Sequence, residues 1–195
     1  MDPQTFIFFG IVGSGKGTQV KLLQEYLKKK DGREQLYVYP GGEYRRLVES
    51  GNYTGKIVEK TMVHGHLQPD FLTTSLVTNE LISGLTSERH LFLDGYPRTV
   101  EQSKSLEEMM NFYERKTKKI IYLDLSREEA MKRNLKRGRH DDTEAGLNKR
   151  FDEYEKNVVP SMNYLKGKKD YELYEINGEQ SVEDVHRDIL KALGF

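Results

Sequence analysis

A glycine-rich turn directly after a short apolar run constrains the fold of this chain more than any other feature. Phe6–Phe9 has the composition of a buried strand, and Val20, Leu23 and Leu27 then recur at helical spacing. Between them stands the sequence Gly10-Ile11-Val12-Gly13-Ser14-Gly15-Lys16-Gly17-Thr18. Strand, Gly-x-x-x-x-Gly-Lys and helix in this order predict a phosphate-binding loop, because glycines let main-chain N–H groups turn towards phosphate oxygens at a helix N-terminus.

One position of this loop departs from the general pattern. Gly17 follows Lys16 where Ser or Thr is usual, and Thr18 comes one residue later. We expect Gly13–Thr18 to surround phosphate groups, with the Lys16 ammonium at the outer ones. The alternative is a plain glycine-rich turn that only joins a strand to a helix.

Composition argues against several other classes of protein. The 31 basic and 31 acidic side chains cancel, which disfavours a nucleic-acid-binding surface. The absence of cysteine rules out disulfides and thiolate metal sites, and we expect no structural zinc. No apolar run approaches membrane-spanning length and the first residues lack a signal-peptide pattern, so we expect a cytoplasmic protein without a membrane partner.

Short runs of strand type alternate with helical segments along the whole chain. The strands are predicted at Phe6–Phe9, Leu36–Tyr39, His90–Leu93, Lys119–Leu123 and Tyr171–Ile176. The helices are predicted at Gly17–Lys29, Gly42–Glu49, Gly55–His64, Asp70–Ser83, Val100–Tyr113, Arg127–Lys136, Glu144–Val158 and Val182–Ala192. This alternation predicts an α/β fold with a parallel sheet covered on both faces, whose ligands bind at the carboxyl ends of the strands.

A second polar motif follows the third predicted strand. Asp94 ends an apolar run as the acid of a Walker B element does, where it holds Mg²⁺ near phosphates; the alternative is a cap or turn residue. Pro97 stiffens the turn and thereby presents Arg98 in a fixed direction, which suits bidentate phosphate recognition. Gln102 either completes a capping box with Thr99 or reads the edge of an adenine, and both interpretations stay open.

A basic cluster lies further along the chain. Arg133 and Arg137 stand one helical turn apart, and Arg139 and Arg150 follow them with the acidic pair 141–142 in between. Basic helices usually present a solvated face, which is the alternative here. We interpret the dense mixture of charges as a switchable set of ion pairs around a polyphosphate.

Together these motifs resemble the adenylate kinase branch of the nucleoside monophosphate kinases, over essentially the whole chain. Gly13–Gln19 is similar to that family's form of the phosphate loop, including its Gly-Thr ending, and Asp94–Gln102 is similar to its Asp-Gly-Phe-Pro-Arg signature. The family's arginine and acid set is matched in order, and Asn177-Gly178 matches its adenine loop.

The resemblance implies a three-layer P-loop fold with a five-stranded parallel sheet flanked by helices. The core would comprise 1–39, 69–136 and 143–195, with a monophosphate-binding insertion at about 40–68 and a minimal lid loop at about 137–142. The implied reaction is reversible, Mg²⁺-dependent phosphoryl transfer from ATP to AMP giving two ADP, which serves adenine nucleotide homeostasis.

The resemblance also implies a role for each matched residue. Asp94 would anchor Mg²⁺ through water, and the catalytic side chains would be Lys16, Arg98, Arg137, Arg139 and Arg150. ATP would be bound by Gly13, Ser14, Gly15, Lys16, Gly17, Thr18, Arg133 and Gly178. AMP would be bound by Gly41, Arg46, His66, Leu67, Gln68, Gly95, Arg98, Gln102, Arg139 and Arg150.

Three departures from the family pattern bear on function. Gly41 stands where the family has Thr, so the chain lacks the hydroxyl that approaches the AMP base. Gln68 replaces an aliphatic residue at a position where the family uses its main chain. The lid is reduced to residues 138–140, and we hypothesise that self-association into a homo-oligomer covers the site instead.

Two other functions remain open on the sequence. A UMP/CMP kinase also has a short lid, but that family usually has Asn at the positions of Thr99 and Gln102, which favours AMP here. A non-catalytic nucleotide-binding module is expected to lose Lys16, Asp94 or several arginines, and this chain retains them all.

Overall fold

The computed structural model describes residues 2–63, 65–138 and 143–195. Five strands form one all-parallel sheet in the order β2-β3-β1-β4-β5. Their bounds are β1 Thr5–Gly10, β2 Gln35–Val38, β3 His90–Asp94, β4 Lys118–Asp124 and β5 Tyr171–Asn177. The predicted α/β class and five-stranded parallel sheet are confirmed.

Helices connect the strands throughout the described residues. They are α1 Lys16–Asp31, α2 Pro40–Glu49, α3 Tyr53–Val63, α4 Asp70–Gly84, α5 Val100–Phe112, α6 Arg127–Arg137, α7 Glu144–Glu153, α8 Val159–Lys166 and α9 Val182–Ala192. Within the described ranges none of them is both long and apolar enough for a membrane span.

The core is built around β1, whose six residues are all buried. β3 and β4 flank it, and side chains from α4, α5 and α8 pack on one face of the sheet. Side chains from α1 and α9 pack on the other face, including Leu23, Leu27 and Ile189. Covering both faces of a parallel sheet explains why its strands read as continuous apolar runs.

The structure contains one helix that we did not predict. We predicted a single helix at Glu144–Val158, but α7 ends at Glu153, a π-helical turn spans Tyr154–Val158, and α8 follows directly. Pro160 stands in the first turn of α8, where proline is tolerated. A buried hydrogen bond of 2.7 Å between the Ser103 and Ser161 hydroxyls then joins α5 to α8.

The predicted cap of α5 by Thr99 is confirmed, and α6 and α9 begin in the same way. Thr99 caps α5, Ser126 caps α6 and Ser181 caps α9, each by accepting from an N–H in the first turn. The proposed division of the chain stays a prediction. Its insertion at 40–68 contains α2 and α3, and its lid loop lies outside the described residues apart from Arg137 and Gly138.

Candidate functional site

The turn between β1 and α1 closes around the Lys16 ammonium. Lys16 Nζ donates to the carbonyl oxygens of Gly10 at 2.6 Å and Ile11 at 3.1 Å, and it lies 3.4 Å from Ser14 Oγ. The loop is held in turn by the Ser14 N–H, which donates to the Ile11 carbonyl. The amino group thus lies inside the turn, where an anion bound by the loop would meet it.

The N-terminus of α1 is available to such an anion. Gly15 precedes the helix in a left-handed conformation with φ 88°, its position carries no side-chain cap, and the first turn contains no acidic residue. The starts of α5, α6 and α9 are capped by side chains, as described above. Free N–H groups and the helix dipole at the start of α1 together make an anion-binding site.

Gly13 has to be glycine because the loop passes very close to α6. Its φ is +92°, and a Cβ there would lie 2.4 Å from Nδ2 of Asn134. Asn134 is fully buried and donates to the carbonyls of Val12 at 2.9 Å and Ala130 at 2.7 Å. Its Oδ1 accepts from Arg137 at 2.6 Å, so one amide sets the position of that arginine against the phosphate loop.

The charges around Lys16 come from three further segments of the chain. Burial lowers the pKa of the Lys16 ammonium to about 8, Asp94 raises it, and Arg98 and Arg137 lower it. The structure therefore brings together Lys16, Asp94, Arg98 and Arg137 as the sequence predicted. Among the described residues, Lys16 thus has one carboxylate and two guanidinium groups around it, a concentration of positive charge that suits a polyphosphate.

Asp94 ends β3 opposite the phosphate loop, in register with Phe8 of β1. The Tyr37 hydroxyl donates to its Oδ2 at 3.0 Å, and a Cβ on Gly17 would lie 3.7 Å from the same oxygen. Burial raises the pKa of the Tyr37 phenol well above its ordinary range, with the Asp94 charge adding to the effect. Tyr37 therefore stays a donor and aims the carboxylate at the loop.

The donor set around Asp94 fits Mg²⁺ better than a metal held entirely by protein. Among the described residues no three His, Cys, Asp or Glu side chains are grouped so that they would hold a metal ion. Mg²⁺ keeps several waters and is commonly bound by one or two carboxylates together with substrate phosphates. A single carboxylate beside a phosphate loop is the arrangement that this mode of binding needs.

The turn after β3 fixes Arg98 by its main chain and by Nε. The Arg98 N–H donates to Gln102 Oε1 at 2.8 Å, and its Nε donates to the Gly95 carbonyl at 2.8 Å. Gly95 has φ +75°, and a Cβ there would lie 2.8 Å from Nη2 of Arg98. Within the part of the chain that the structure describes, the Nη groups of Arg98 make no hydrogen bond, so they remain available for a ligand.

Both ends of the Gln102 amide are hydrogen-bonded inside the protein. Its Oε1 accepts from Arg98, and its Nε2 donates to Asp70 Oδ1 at 2.8 Å, which also accepts from the Thr99 hydroxyl at 3.0 Å. The predicted contact of Gln102 with an adenine is not tested by these bonds and stays a prediction. These hydrogen bonds give Gln102 a positioning role, because they join the turn that carries Arg98 to Asp70 at the start of α4.

Arg133 and Gly178 also come together as predicted, at the ends of β4 and β5. Arg133 Nη1 donates to the Gly178 carbonyl at 2.9 Å, and its Nε donates to Glu129 at 2.8 Å. The Gly178 N–H donates to the Asp124 carbonyl at 2.6 Å, and a Cβ on Gly178 would lie 2.6 Å from that oxygen. The guanidinium is thus held between Glu129 and the main-chain loop at Gly178.

The first turn of α2 faces Arg98 through Tyr44. The Tyr44 hydroxyl shares a hydrogen bond with Thr73 of α4, and burial raises its pKa while Arg98 opposes the rise. Arg46 on the same helix is 74% exposed and forms a 2.7 Å ion pair with Glu43. In this arrangement Arg46 lies at the surface and is not joined to the other arginines.

The segment between α3 and α4 lies against α7. A Cβ on Gly65 would lie 3.4 Å from Cγ of Arg150, and His66 Nε2 is 2.7 Å from Lys149 Nζ. Leu67 is partly exposed, whereas the Gln68 side chain is buried and accepts from the Thr61 hydroxyl at 2.9 Å. Arg150 and the predicted AMP segment are therefore neighbours, and Arg139 lies outside the described residues.

Sequence reasoning missed three positioning residues, namely Tyr37, Asp70 and Asn134. A signal existed for Asn134, because an amide between Arg133 and Arg137 is a poor helix former in the middle of a basic helix. Tyr37 and Asp70 carried no such signal, since their partners lie far away in the sequence.

Comparisons with known proteins agree with one another. A family model described as adenylate kinase matches residues 8–170. The chain is 32% identical to the adenylate kinase of Corynebacterium urealyticum over 187 residues, which cover 96% of this chain and 97% of that protein. It is 33% identical to an adenylate kinase of Prochlorococcus marinus over 94% of each chain, and 31% identical to adenylate kinase 1 of a Nostoc species over 96% of this chain and 97% of that protein.

The depressed pKa of Lys16 predicts proton uptake when a polyphosphate binds. At pH 8 the ammonium is partly deprotonated in the free protein, and phosphate charge restores it, so ATP binding should take up about half a proton. Calorimetry in buffers of different ionisation enthalpy measures this uptake. Lys16→Met should abolish it and Lys21→Met, exposed on the same helix, should keep it; buffer-independent heats in the unmodified protein would contradict the assignment.

A carboxyl pair beside Arg46 predicts a pH-dependent stability. Burial, a hydrogen bond to Glu43 and the Glu43 charge raise the pKa of Glu80 to about 7, against the effect of Arg46. The folded protein therefore binds a proton on the Glu80 carboxyl more tightly than the unfolded chain does. The stability that this proton contributes is lost as pH rises from about 4.5 through 7. Glu80→Gln should therefore raise the Tm at pH 8 and change it little at pH 5.

Thermal unfolding at the two pH values checks this prediction. Glu49→Gln, at an exposed position of α2, is the matched control and should shift the Tm equally at both. An identical Tm difference at pH 5 and pH 8 for Glu80→Gln would show that no shared proton stabilises this contact.

Proposed function

The chain belongs to the adenylate kinase family and is a nucleoside monophosphate kinase, and we propose that it transfers the γ-phosphoryl group of Mg-ATP to AMP with Lys16, Arg98 and Arg137 as its central cations. The products are two molecules of ADP, and the reaction runs in both directions. We further propose that the protein acts in the cytoplasm, where it balances the adenine nucleotides.

One observation carries this proposal, namely the convergence of Lys16, Asp94, Arg98 and Arg137 at a phosphate loop without a nucleophilic side chain among them. Phosphoryl transfer needs positioning and compensation of charge more than covalent help from the protein. The arrangement supplies a buried ammonium, a helix N-terminus and two guanidinium groups around one point.

The donor nucleotide is placed at the ends of β1, β4 and β5. The turn 10–18 takes the phosphates, and the Lys16 ammonium exchanges its loop carbonyls for phosphate oxygens. The base then lies beside Arg133, whose hydrogen bond to Gly178 holds it along the loop. The donor base is then contacted largely by main-chain atoms. These atoms fix the shape of the donor site, and no side chain recognises the base by its polar groups.

The acceptor phosphate is placed at the turn after β3. The free Nη groups of Arg98 bind two of its oxygens, and Arg46, Arg139 and Arg150 add charge when the nucleotide is present. Bidentate binding holds the acceptor oxygen in line with the donor phosphate, which lowers the barrier mainly through orientation. Asn134 keeps Arg137 at the phosphate loop, where charge develops during transfer.

Asp94 would hold Mg²⁺ through water. When bound, Mg²⁺ would supply positive charge that compensates the charge of the donor phosphates. The contribution of the chain is a carboxylate whose direction is fixed by the 3.0 Å bond from Tyr37.

An acceptor panel tests the proposal most directly. With ATP and Mg²⁺, AMP should give a higher kcat/KM than UMP, CMP or GMP in a coupled assay; a higher value with UMP or CMP would refute the choice of AMP. Arg98→Lys should lower kcat/KM on the order of a hundredfold, because lysine lacks the bidentate fork. Arg187→Lys, on the exposed face of α9, is the control and should be silent.

We also propose that a second copy of the chain shields the phosphates, since the lid is minimal. Transfer to AMP competes with transfer to water unless the site closes. Light scattering combined with activity over a range of protein concentrations measures this, and specific activity should rise with the oligomer. A fully active monomer would refute the role of self-association and leave the catalytic residues untouched.

A further inference from the structure

Tyr39 occupies an unusual position at the start of α2. It is the residue that precedes the helix, and its ring lies directly on Gly41. A Cβ on Gly41 would lie 2.8 Å from Cζ and 2.9 Å from the hydroxyl oxygen of Tyr39. Any residue other than glycine at position 41 would therefore push this ring aside.

The Tyr39 ring contacts two other side chains. It stacks on Tyr37 with ring centroids 6.0 Å apart and an angle of 15°, and the Arg45 guanidinium lies 5.4 Å from its centroid. Tyr37 in turn donates to Asp94. The result is a column of Arg45, Tyr39, Tyr37 and Asp94 along the carboxyl edge of the sheet, where the ligands of parallel sheets bind.

Two polar groups of this column remain available. Among the described residues, neither the Tyr39 hydroxyl nor the Arg45 guanidinium has a hydrogen-bond or ion-pair partner, and the Tyr39 ring is half-buried. The contacts with Tyr37 and Arg45 restrict the movement of the ring, and its hydroxyl lies close to Gly41. A rigid aromatic side chain with one free hydroxyl binds a polar ligand at little entropic cost.

We propose that Tyr39 is a specificity-determining residue of the acceptor site, whose hydroxyl forms a hydrogen bond with the nucleoside of the acceptor monophosphate. This inference rests on the proposed function, since it places the acceptor between α2 and the Arg98 turn. Arg45 acts as a positioning residue, because its guanidinium lies over the ring at 5.4 Å from the centroid. Glycine at position 41 then leaves room for the Tyr39 phenol. The Tyr39 hydroxyl takes the place of the hydroxyl that position 41 lacks.

The first test removes the hydroxyl and keeps the ring. Tyr39→Phe should raise the KM for AMP about three- to tenfold, the value of one hydrogen bond, with kcat and the KM for ATP little changed. Tyr53→Phe, on the exposed side of α3, is the matched control and should change neither constant. An unchanged KM for AMP in Tyr39→Phe would overturn the proposal, and equal rises for AMP and ATP would do the same by indicating a structural role.

The second test keeps the hydroxyl and moves the ring. Gly41→Ala fits the helical main chain, since alanine is the better helix former, but its Cβ displaces the phenol. It should raise the KM for AMP as Tyr39→Phe does, and combining the two changes should add little further. Fully additive effects would show that Gly41 and Tyr39 act separately and would overturn the coupling.

Direct binding separates this inference from the proposed function. Calorimetric titration of AMP into the unmodified protein and Tyr39→Phe measures acceptor affinity without turnover. If no transfer to any acceptor occurs but Tyr39→Phe weakens AMP binding, the proposed function fails and the inference stands. If transfer to AMP occurs and Tyr39→Phe binds AMP as tightly as the unmodified protein, the inference fails alone.

Discussion

The register between β1 and β3 is the constraint on which the rest of the site depends. Because Phe8 pairs with Asp94 at the carboxyl edge, the phosphate loop after β1 and the arginine turn after β3 leave the sheet side by side. β1 is buried on both faces and along both edges, so a slip of one residue would exchange the side chains that pack on its two faces. The apolar core thereby fixes the separation of Lys16 and Asp94 before any ligand binds.

Folding places like charges close together at this site, and their repulsion is relieved when the phosphates of a nucleotide bind. Among the described residues three cations gather around one carboxylate, and burial is the largest of the effects that depress the pKa of Lys16 to about 8. In the free protein the ammonium is satisfied by the carbonyls of Gly10 and Ile11, and Arg137 by the Asn134 amide. The loop carbonyls hold the Lys16 ammonium in place without neutralising it, so a polyphosphate gains charge interaction with it.

The sequence was most informative where chemistry is local in the chain. The phosphate loop, the turn at Asp94–Arg98 and the capping boxes each lie within ten residues, and their geometry follows from glycine, proline and short polar side chains. Long-range partners were not predictable, since nothing in a sequence pairs Tyr37 with Asp94 or Asp70 with Gln102. Helix α8 was not predicted for a related reason. A π-helical turn at Tyr154–Val158 joins α7 to α8, and the apolar periodicity of the sequence does not indicate such a turn.

Gly41 shows how a substitution that looks like a loss changes meaning in three dimensions. On the sequence, a glycine in place of a hydroxyl residue implies a weaker contact with the acceptor. In the structure the Tyr39 ring packs against Gly41, and the Cβ of an alanine at position 41 would collide with this ring. Tyr39 and Gly41 therefore pack as one unit. The hydroxyl that position 41 lacks is supplied by the Tyr39 side chain, two residues earlier. Substrate recognition in this chain is best understood from such pairs, because neither residue has a defined role without the other.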